Sequence, residues 1–181
     1  MIETVMMAIK ERRSIRNYAD TDVPEKALQA ILEAVQWTPS WANTQCWEVV
    51  VVKDPKIKEQ IHAAVPASNP GSKSILKAPV LIALCAKLGT SGYYKGLVTT
   101  KFGDWFMFDL GLATQSLCLA AHALGLGTVV LGLYEHDKVN AALNLPEGVD
   151  NVCLIPLGYP EKVSGAPKRK NLDEFVHYDT F

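Results

Sequence analysis

Arg12-Arg13-Ser14-Ile15-Arg16 sets three guanidiniums and one hydroxyl within one short stretch, the donor set for a small anionic group such as a phosphate. In extended backbone alternate side chains share a face, so Arg12, Ser14 and Arg16 point together while Arg13 and Ile15 point away. The planar arginine fork bonds two oxygens at once, each charge-assisted contact contributing about 1.5–3 kcal/mol. The same residues stand where an amphipathic helix runs out, and a helix C-terminus favours cations through its dipole. Taken alone, the stretch reads more simply as a solvated helix end. The second basic cluster, Lys168-Arg169-Lys170, is by itself a solvated charge run. If the tail returns to the Arg12 region, Arg169 brings the site enough charge for a dianion.

The loop Pro39-Ser40-Trp41-Ala42-Asn43-Thr44-Gln45 collects amides, hydroxyls and an indole between a helix and an apolar strand. Asn and Gln offer donor and acceptor to a ring edge, Ser bonds a sugar or phosphate oxygen, and Trp supplies a stacking face, so the set suits a heteroaromatic ligand. A turn whose side chains satisfy their own backbone accounts for the same residues at least as well. Gly125-Leu126-Gly127-Thr128-Val129-Val130-Leu131-Gly132 lacks the spacing and the strand-to-helix order of a dinucleotide fingerprint. Gly125 and Gly127 read as a helix C-cap and its turn. Gly132, at the far end of the strand, either lets backbone come close to a flat ligand or simply ends the strand.

No Walker motif, H-E-x-x-H or G-x-S-x-G occurs, and His62, His122, His136 and His177 stand far apart. Metal hydrolysis and serine hydrolysis are excluded on that ground, and no metal site is expected. His122 reads as a hydrogen-bonded core residue. Cys46, Cys85, Cys118 and Cys153 lack C-x-x-C spacing, which argues against a disulfide framework or zinc and for a reducing cytoplasm. Cys46 abuts the Pro39–Gln45 loop but has no neighbouring histidine to activate it, so it reads as a small packed residue. A net charge of −1 gives no global attraction to nucleic acid or to an anionic membrane. The N-terminus carries Glu3, Lys10 and Glu11 on an amphipathic helix rather than a signal peptide, and no apolar run reaches the roughly 20 residues of a spanning helix.

The elements that must position these groups are legible as periodicities. With 181 residues, 49% of them hydrophobic and 20% charged, the chain is expected to fold as one domain over 1–181. Amphipathic helices are expected over 3–12 and 25–36, the second capped by Asp22 with Pro24 in its first turn. Trp47–Val52 and 79–86 read as strands buried on both faces. Asp54-Pro55 opens a helix between them, and 66–74 reads as a loop. The stretch 102–124 reads as a helix apolar nearly all round, so part of it should meet a second subunit. Strands over 128–133 and 151–157 flank a helix near 136–143. The tail carries Leu172, Phe175 and Val176 as apolar anchors that should dock. This alternation by itself points to a parallel, doubly wound sheet.

Taken in order, R-R-S-I-R-x-Y, T-P-S-W-x-N-T-Q-x-W, D-x-G-x-A-x-Q-x-L, G-L-G-T-x-x-x-G, L-G-Y-P and a final K-R-K resemble the nitroreductase family of FMN-dependent oxidoreductases over nearly the whole chain. The resemblance implies an α+β sandwich, with a mostly antiparallel central sheet flanked by helices, in an intertwined homodimer with two FMN sites at its interface. It replaces the parallel sheet suggested by alternation alone. Matched by motif, Arg12, Ser14 and Arg16 stand at front FMN-binding positions, with Arg13 an addition, and Arg169 at the phosphate. Pro39, Ser40, Trp41 and Asn43 match a loop contributed by the partner subunit. Leu131 and Gly132 match the strand end whose backbone N–H meets flavin N5. Arg16, nearest the pyrimidine edge, would favour the negative charge of the reduced ring.

The implied activity is hydride transfer from NADH or NADPH through FMN to a small electrophile such as a nitroaromatic or quinone, in a ping-pong cycle. The flavin carries that chemistry, Arg16 and Gly132 tune it, and no protein nucleophile is required. An FMN-dependent oxidase or dehalogenase on the same fold, or a flavin store or redox sensor without turnover, remain the alternatives. Trp41 stands where many members have a second serine and Cys46 where proline is usual, implying a bulkier wall and a less rigid loop. The segment from Leu88 to Lys101 is short, with Tyr93, Tyr94 and Lys95, implying an open pocket of weak selectivity.

Overall fold

A computed structural model describes residues 2–181. The chain begins with α1 (Ile2–Glu11) and α2 (Glu25–Gln36), then a 3-10 turn at Trp41–Asn43. Next come β1 (Trp47–Val52), α3 (Pro55–Ala63), α4 (Ser74–Lys77) and β2 (Val80–Lys87). A small hairpin, β3 (Tyr93–Tyr94) and β4 (Leu97–Val98), precedes the long α5 (Phe106–Ala123). The short β5 (Gly127–Thr128), α6 (His136–Ala142) and β6 (Val149–Gly158) complete the body, and a second 3-10 turn lies at Leu172–Glu174. The main sheet has the order β1-β2-β6-β5, and each ladder is antiparallel.

Alternation along β2 sends Val80, Ile82, Leu84 and Ala86 to one face and Leu81, Ala83 and Cys85 to the other. The first face is covered by α2 and α5 through Ile31, Leu110 and Leu117. The second is covered by α3, α4 and α6 through Ile61, Ile75 and Val139. Each of these fully buried aliphatic side chains contributes about 1.5–3 kcal/mol of transfer free energy. The parallel sheet suggested by alternation is not formed. Double-sided burial produces the same apolar runs whichever way neighbouring strands point, so composition alone does not report direction.

Several local expectations are corrected. Trp47–Val52 is a half-buried edge strand rather than one covered on both faces. Asp22 does not cap α2, whose N-cap position is taken by Pro24 with no side-chain bond. Asp54 does cap α3, accepting from the Lys56 N–H at 2.7 Å. The long helix starts at Phe106, because Gly103 with its φ of 80° turns the chain and Asp104 accepts from the Phe106 N–H at 3.3 Å. It buries one face only, leaving Met107 and Phe108 exposed. The strand expected over 128–133 shrinks to β5 and a bridge from Leu131 to Leu154. Of the three expected tail anchors, Leu172 and Phe175 stay exposed on this protomer and only Val176 is half-buried.

All four cysteines are free and buried. Burial pushes the Cys46 thiol up to about 12, with the Asp109 carboxylate adding to the effect, and pushes Cys153 up to about 11. Burial also raises the Tyr18 and Tyr134 phenols. An unfolded thiol ionises near 9.0, so the stability from keeping these groups neutral is complete below that pH and is lost as pH rises through the folded values. Urea midpoints are therefore expected to fall steadily between pH 9 and 11. A flat profile across that window would contradict the burial of these thiols.

Candidate functional site

The basic segment is laid on the β5–β6 edge of the sheet by backbone pairing. Ser14 bridges Thr128 in parallel fashion, the Ile15 N–H donates to Thr128 O at 2.9 Å, and the Ala19 N–H donates to Tyr159 O at 2.9 Å. Tyr18 pins the same stretch, its buried hydroxyl directed at Ile15 O (2.8 Å) and Pro156 O (3.0 Å). With Ile15 only 4% exposed and aimed inward, Ser14 and Arg16 are turned toward solvent. Alternation starts only at Ser14, however, since α1 persists to Glu11 and Arg12 still donates its N–H to Ala8 O. Arg13 therefore does not point away from the others. Its Nη1 donates to Lys10 O at 2.5 Å and Arg12 O at 2.8 Å, closing the helix end, and its side chain still borders the basic cleft.

That cleft, of about 170 Å³, brings Arg12, Arg13, Ser14 and Arg16 together with Arg169. The tail returns as its sequence allowed, with Ser164, Gly165 and Pro167 forming the far wall. Four guanidiniums around one small volume make a grip for a dianion. Arg16 also borders a second cleft of about 280 Å³, floored by Val129–Leu133 and walled by Asn69 and Pro70. Leu131 exchanges both backbone bonds with Leu154, at 2.9 and 3.0 Å, which spends its own N–H. The Gly132 N–H has no partner among the described residues. A Cβ built on Gly132 meets nothing within 4 Å, so its open side faces the cleft.

Asn69 was not singled out from sequence. Its Nδ2 donates to Leu133 O at 3.0 Å and its Oδ1 accepts from the Gly71 N–H at 2.9 Å, stapling the 66–74 loop to the cleft floor. The only signal was Asn69-Pro70-Gly71, a turn composition. Ser164 and Gly165 gave no signal at all.

Pro39, Ser40, Trp41 and Asn43 lie elsewhere on this protomer. Pro39 and Asn43 border a separate cleft of about 380 Å³ with Trp37 and Gln45, and none of these residues reaches the basic cleft. Ser40 Oγ accepts from the Gln45 N–H at 2.9 Å, and Trp41 packs on Trp105 with ring centroids 6.3 Å apart. The Trp41 N–H donates to both oxygens of Asp109. Cys46 is fully buried behind this loop, and its raised thiol is held protonated, which removes it as a nucleophile. His122, expected in the core, is half-buried at the rim of a cleft beside Gly125, and its ring makes no hydrogen bond among the described residues. Gly125 follows the Leu124 C-cap in the left-handed conformation, with φ 76°, whereas Gly127 is no turn residue and packs directly on Ile15.

Among the described residues no cluster of His, Cys, Asp and Glu could hold a metal ion, and no helix is long and apolar enough to cross a membrane. The site thus combines a guanidinium grip, a flat slot beside it and a backbone donor at the slot's end. Such a donor set is chemically suited to a phosphorylated ligand.

The fold is an α+β sandwich, an antiparallel sheet covered by helices on both faces. The family model for the nitroreductase family matches residues 9–159. A protein of Methanothermobacter thermautotrophicus, provisionally named NADH dehydrogenase/NAD(P)H nitroreductase, is 34% identical over 94% of this chain and 87% of its own length. The FMN reductase [NAD(P)H] of Bacillus subtilis is 29% identical over 98% of this chain and 74% of its own. The solved structure of an FMN-dependent nitroreductase of Clostridium difficile R20291 superposes with a TM-score of 0.80 at 25% identity, covering 97% and 99% of the two chains. This chain belongs to the nitroreductase family.

Proposed function

We propose that this protein is an FMN-dependent oxidoreductase that draws hydride from NADH or NADPH and passes it to small electrophiles such as nitroaromatics or quinones. The observation that carries the reading is the joining of two clefts by Arg16: one ringed by Arg12, Ser14 and Arg169, the other ending at the free Gly132 N–H. These residues fit the cofactor. The guanidiniums match a phosphate dianion, and the open side of Gly132 leaves room for a ring. FMN, when bound, supplies the hydride chemistry. Arg12, Arg13, Ser14 and Arg169 hold the phosphate, Arg16 sets a fixed cation near the ring, and Gly132 with Leu131 presents backbone to it.

The working unit on this reading is a homodimer of single-domain chains spanning 1–181, in a reducing cytoplasm. Pro39, Ser40, Trp41 and Asn43 of one protomer then complete the site of the other. Support comes from apolar surface uncovered in one protomer: Val5, Met7, Met107 and Phe108 are each more than half exposed, and Trp37 is 85% exposed. Two ligands replacing one another on one flavin face give ping-pong kinetics without a protein nucleophile. The test is the visible spectrum of the purified protein under anaerobic conditions. Flavin bands should bleach on adding NADH or NADPH and return with a nitroaromatic or quinone. A chain that cannot be loaded with FMN overturns the reading, and bands that only dithionite bleaches remove the nicotinamide donor.

A further inference from the structure

We propose that Asp109 is a positioning residue that locks together the loop around Trp41 and the hairpin segment 88–105, the two segments that the family resemblance places at the acceptor pocket. The inference rests on the flavin reading for its functional meaning, and on hydrogen bonds for its geometry. Asp109 is 1% exposed in the first turn of α5, and no cation pairs with it among the described residues. A buried carboxylate without a counter-ion is tolerated only when its oxygens are saturated by donors. Here the donors come from two different segments. The Trp41 N–H reaches Oδ1 at 3.1 Å and Oδ2 at 3.2 Å, while the Ser91 hydroxyl donates to Oδ2 at 2.6 Å. The Cys46 thiol adds a weak contact at 3.6 Å.

Both segments need such a tie. Directly after Trp41 the backbone enters the left-handed region at Ala42 (φ 42°), Asn43 (φ 56°) and Gln45 (φ 48°). Non-glycine residues hold that conformation only where the surroundings over-determine it. On the other side, Ser91 is fully buried and its carbonyl accepts from the Trp105 N–H at 3.0 Å. The next residue, Gly92, closes the hairpin base, its carbonyl accepting from Thr99 N–H and hydroxyl at 2.8 Å each. A Cβ on Gly92 would stand 2.8 Å from Gly103 O, so this base has no slack. Asp104 fastens the start of the segment, accepting from the Gly89 N–H at 2.6 Å. Packing of Trp41 on Trp105 runs parallel to the polar link. A displacement of the hairpin by a ligand is thereby transmitted through one carboxylate to the peptide that presents Ser40–Asn43.

The test uses the full chain and begins without flavin. Amide hydrogen exchange at Trp41 is compared in wild type, Ser91→Ala and Asp109→Asn. Ser91→Ala deletes one hydroxyl from the hairpin side and is chosen because it leaves the carboxylate in place. Exchange at Trp41 should rise at least about fivefold in Ser91→Ala, with α3 amides unchanged as control. In FMN-loaded protein, Ser91→Ala should speed FMN release by a similar factor, and should add nothing in an Asp109→Asn background. A purely structural Asp109 predicts unchanged Trp41 exchange in Ser91→Ala, or additive effects in the double variant. Either result overturns the proposal. Failure of wild type to bind FMN would sink the flavin reading, while the exchange result still decides the link.

Discussion

Arg169→Ala and Arg12→Ala should each lower FMN affinity by roughly 10- to 100-fold, and the double variant should fail to retain the cofactor through purification. The estimate follows from about 1.5–3 kcal/mol for each charge-assisted hydrogen bond, at about 1.4 kcal/mol per tenfold. Arg169 sits on an exposed tail and Arg12 is half-buried at the cleft, so neither change opens a cavity in the core. Arg13→Ala should do less to affinity, because that side chain is committed to Lys10 O and Arg12 O. Flavin fluorescence titration of the apo protein reads the affinity, and thermal unfolding supplies the control. Wild-type affinity in Arg169→Ala, with the tail intact, would remove the basic cleft as the phosphate site. Added salt should weaken binding of wild type more than of either variant, since the lost contacts are the screened ones.

Gly127→Ala should be the most disruptive single-methyl change near the site. The new Cβ would stand 2.7 Å from Ile15 Cβ, a separation that real side chains do not tolerate. Ile15 is 4% exposed and held by its N–H to Thr128 O, so it has nowhere to go without dragging the strand. Overpacking of this kind costs about 1–3 kcal/mol. Because Ile15 lies between Ser14 and Arg16, the strand shift should also weaken FMN binding. Gly132→Ala is the matched opposite. Its Cβ meets nothing in the protein within 4 Å, so urea unfolding should stay at wild type while flavin affinity falls. Wild-type flavin affinity in Gly132→Ala would mean that the slot beside Gly132 is not where the ring lies.

Which parts of this picture were legible in the sequence follows from the range of the interactions involved. Helices with a 3.6-residue apolar period and the Asp54-Pro55 start were visible because their causes are local. The convergence of Arg16 and Arg169 was conditional on the tail's return, which local chemistry does not specify. Strand direction was not visible in the apolar pattern and came only with the family resemblance, while the edge position of β1 was not visible at all, since burial leaves the same Val-rich run in either case. Gly127 was misread as a turn because a glycine needed for close approach and one needed for positive φ look alike in sequence. Asn69 escaped notice because its work is a staple between segments 64 residues apart. Asp109 was seen only as one letter of a motif, and its partners come from two separate stretches of chain, around Trp41–Cys46 and at Ser91.

Arg16 belongs to both clefts, and this sharing couples two properties that are usually tuned apart. By the thermodynamic cycle linking oxidation state to binding, any preference of the guanidinium for the electron-rich ring appears twice. It raises the midpoint potential, and it favours binding of the reduced over the oxidised form by the same free energy. For a two-electron couple, each rise of about 30 mV corresponds to holding the reduced cofactor about tenfold more tightly than the oxidised one. If Arg16 lies beside the ring as proposed, the reduced coenzyme is the more tightly held of the two forms.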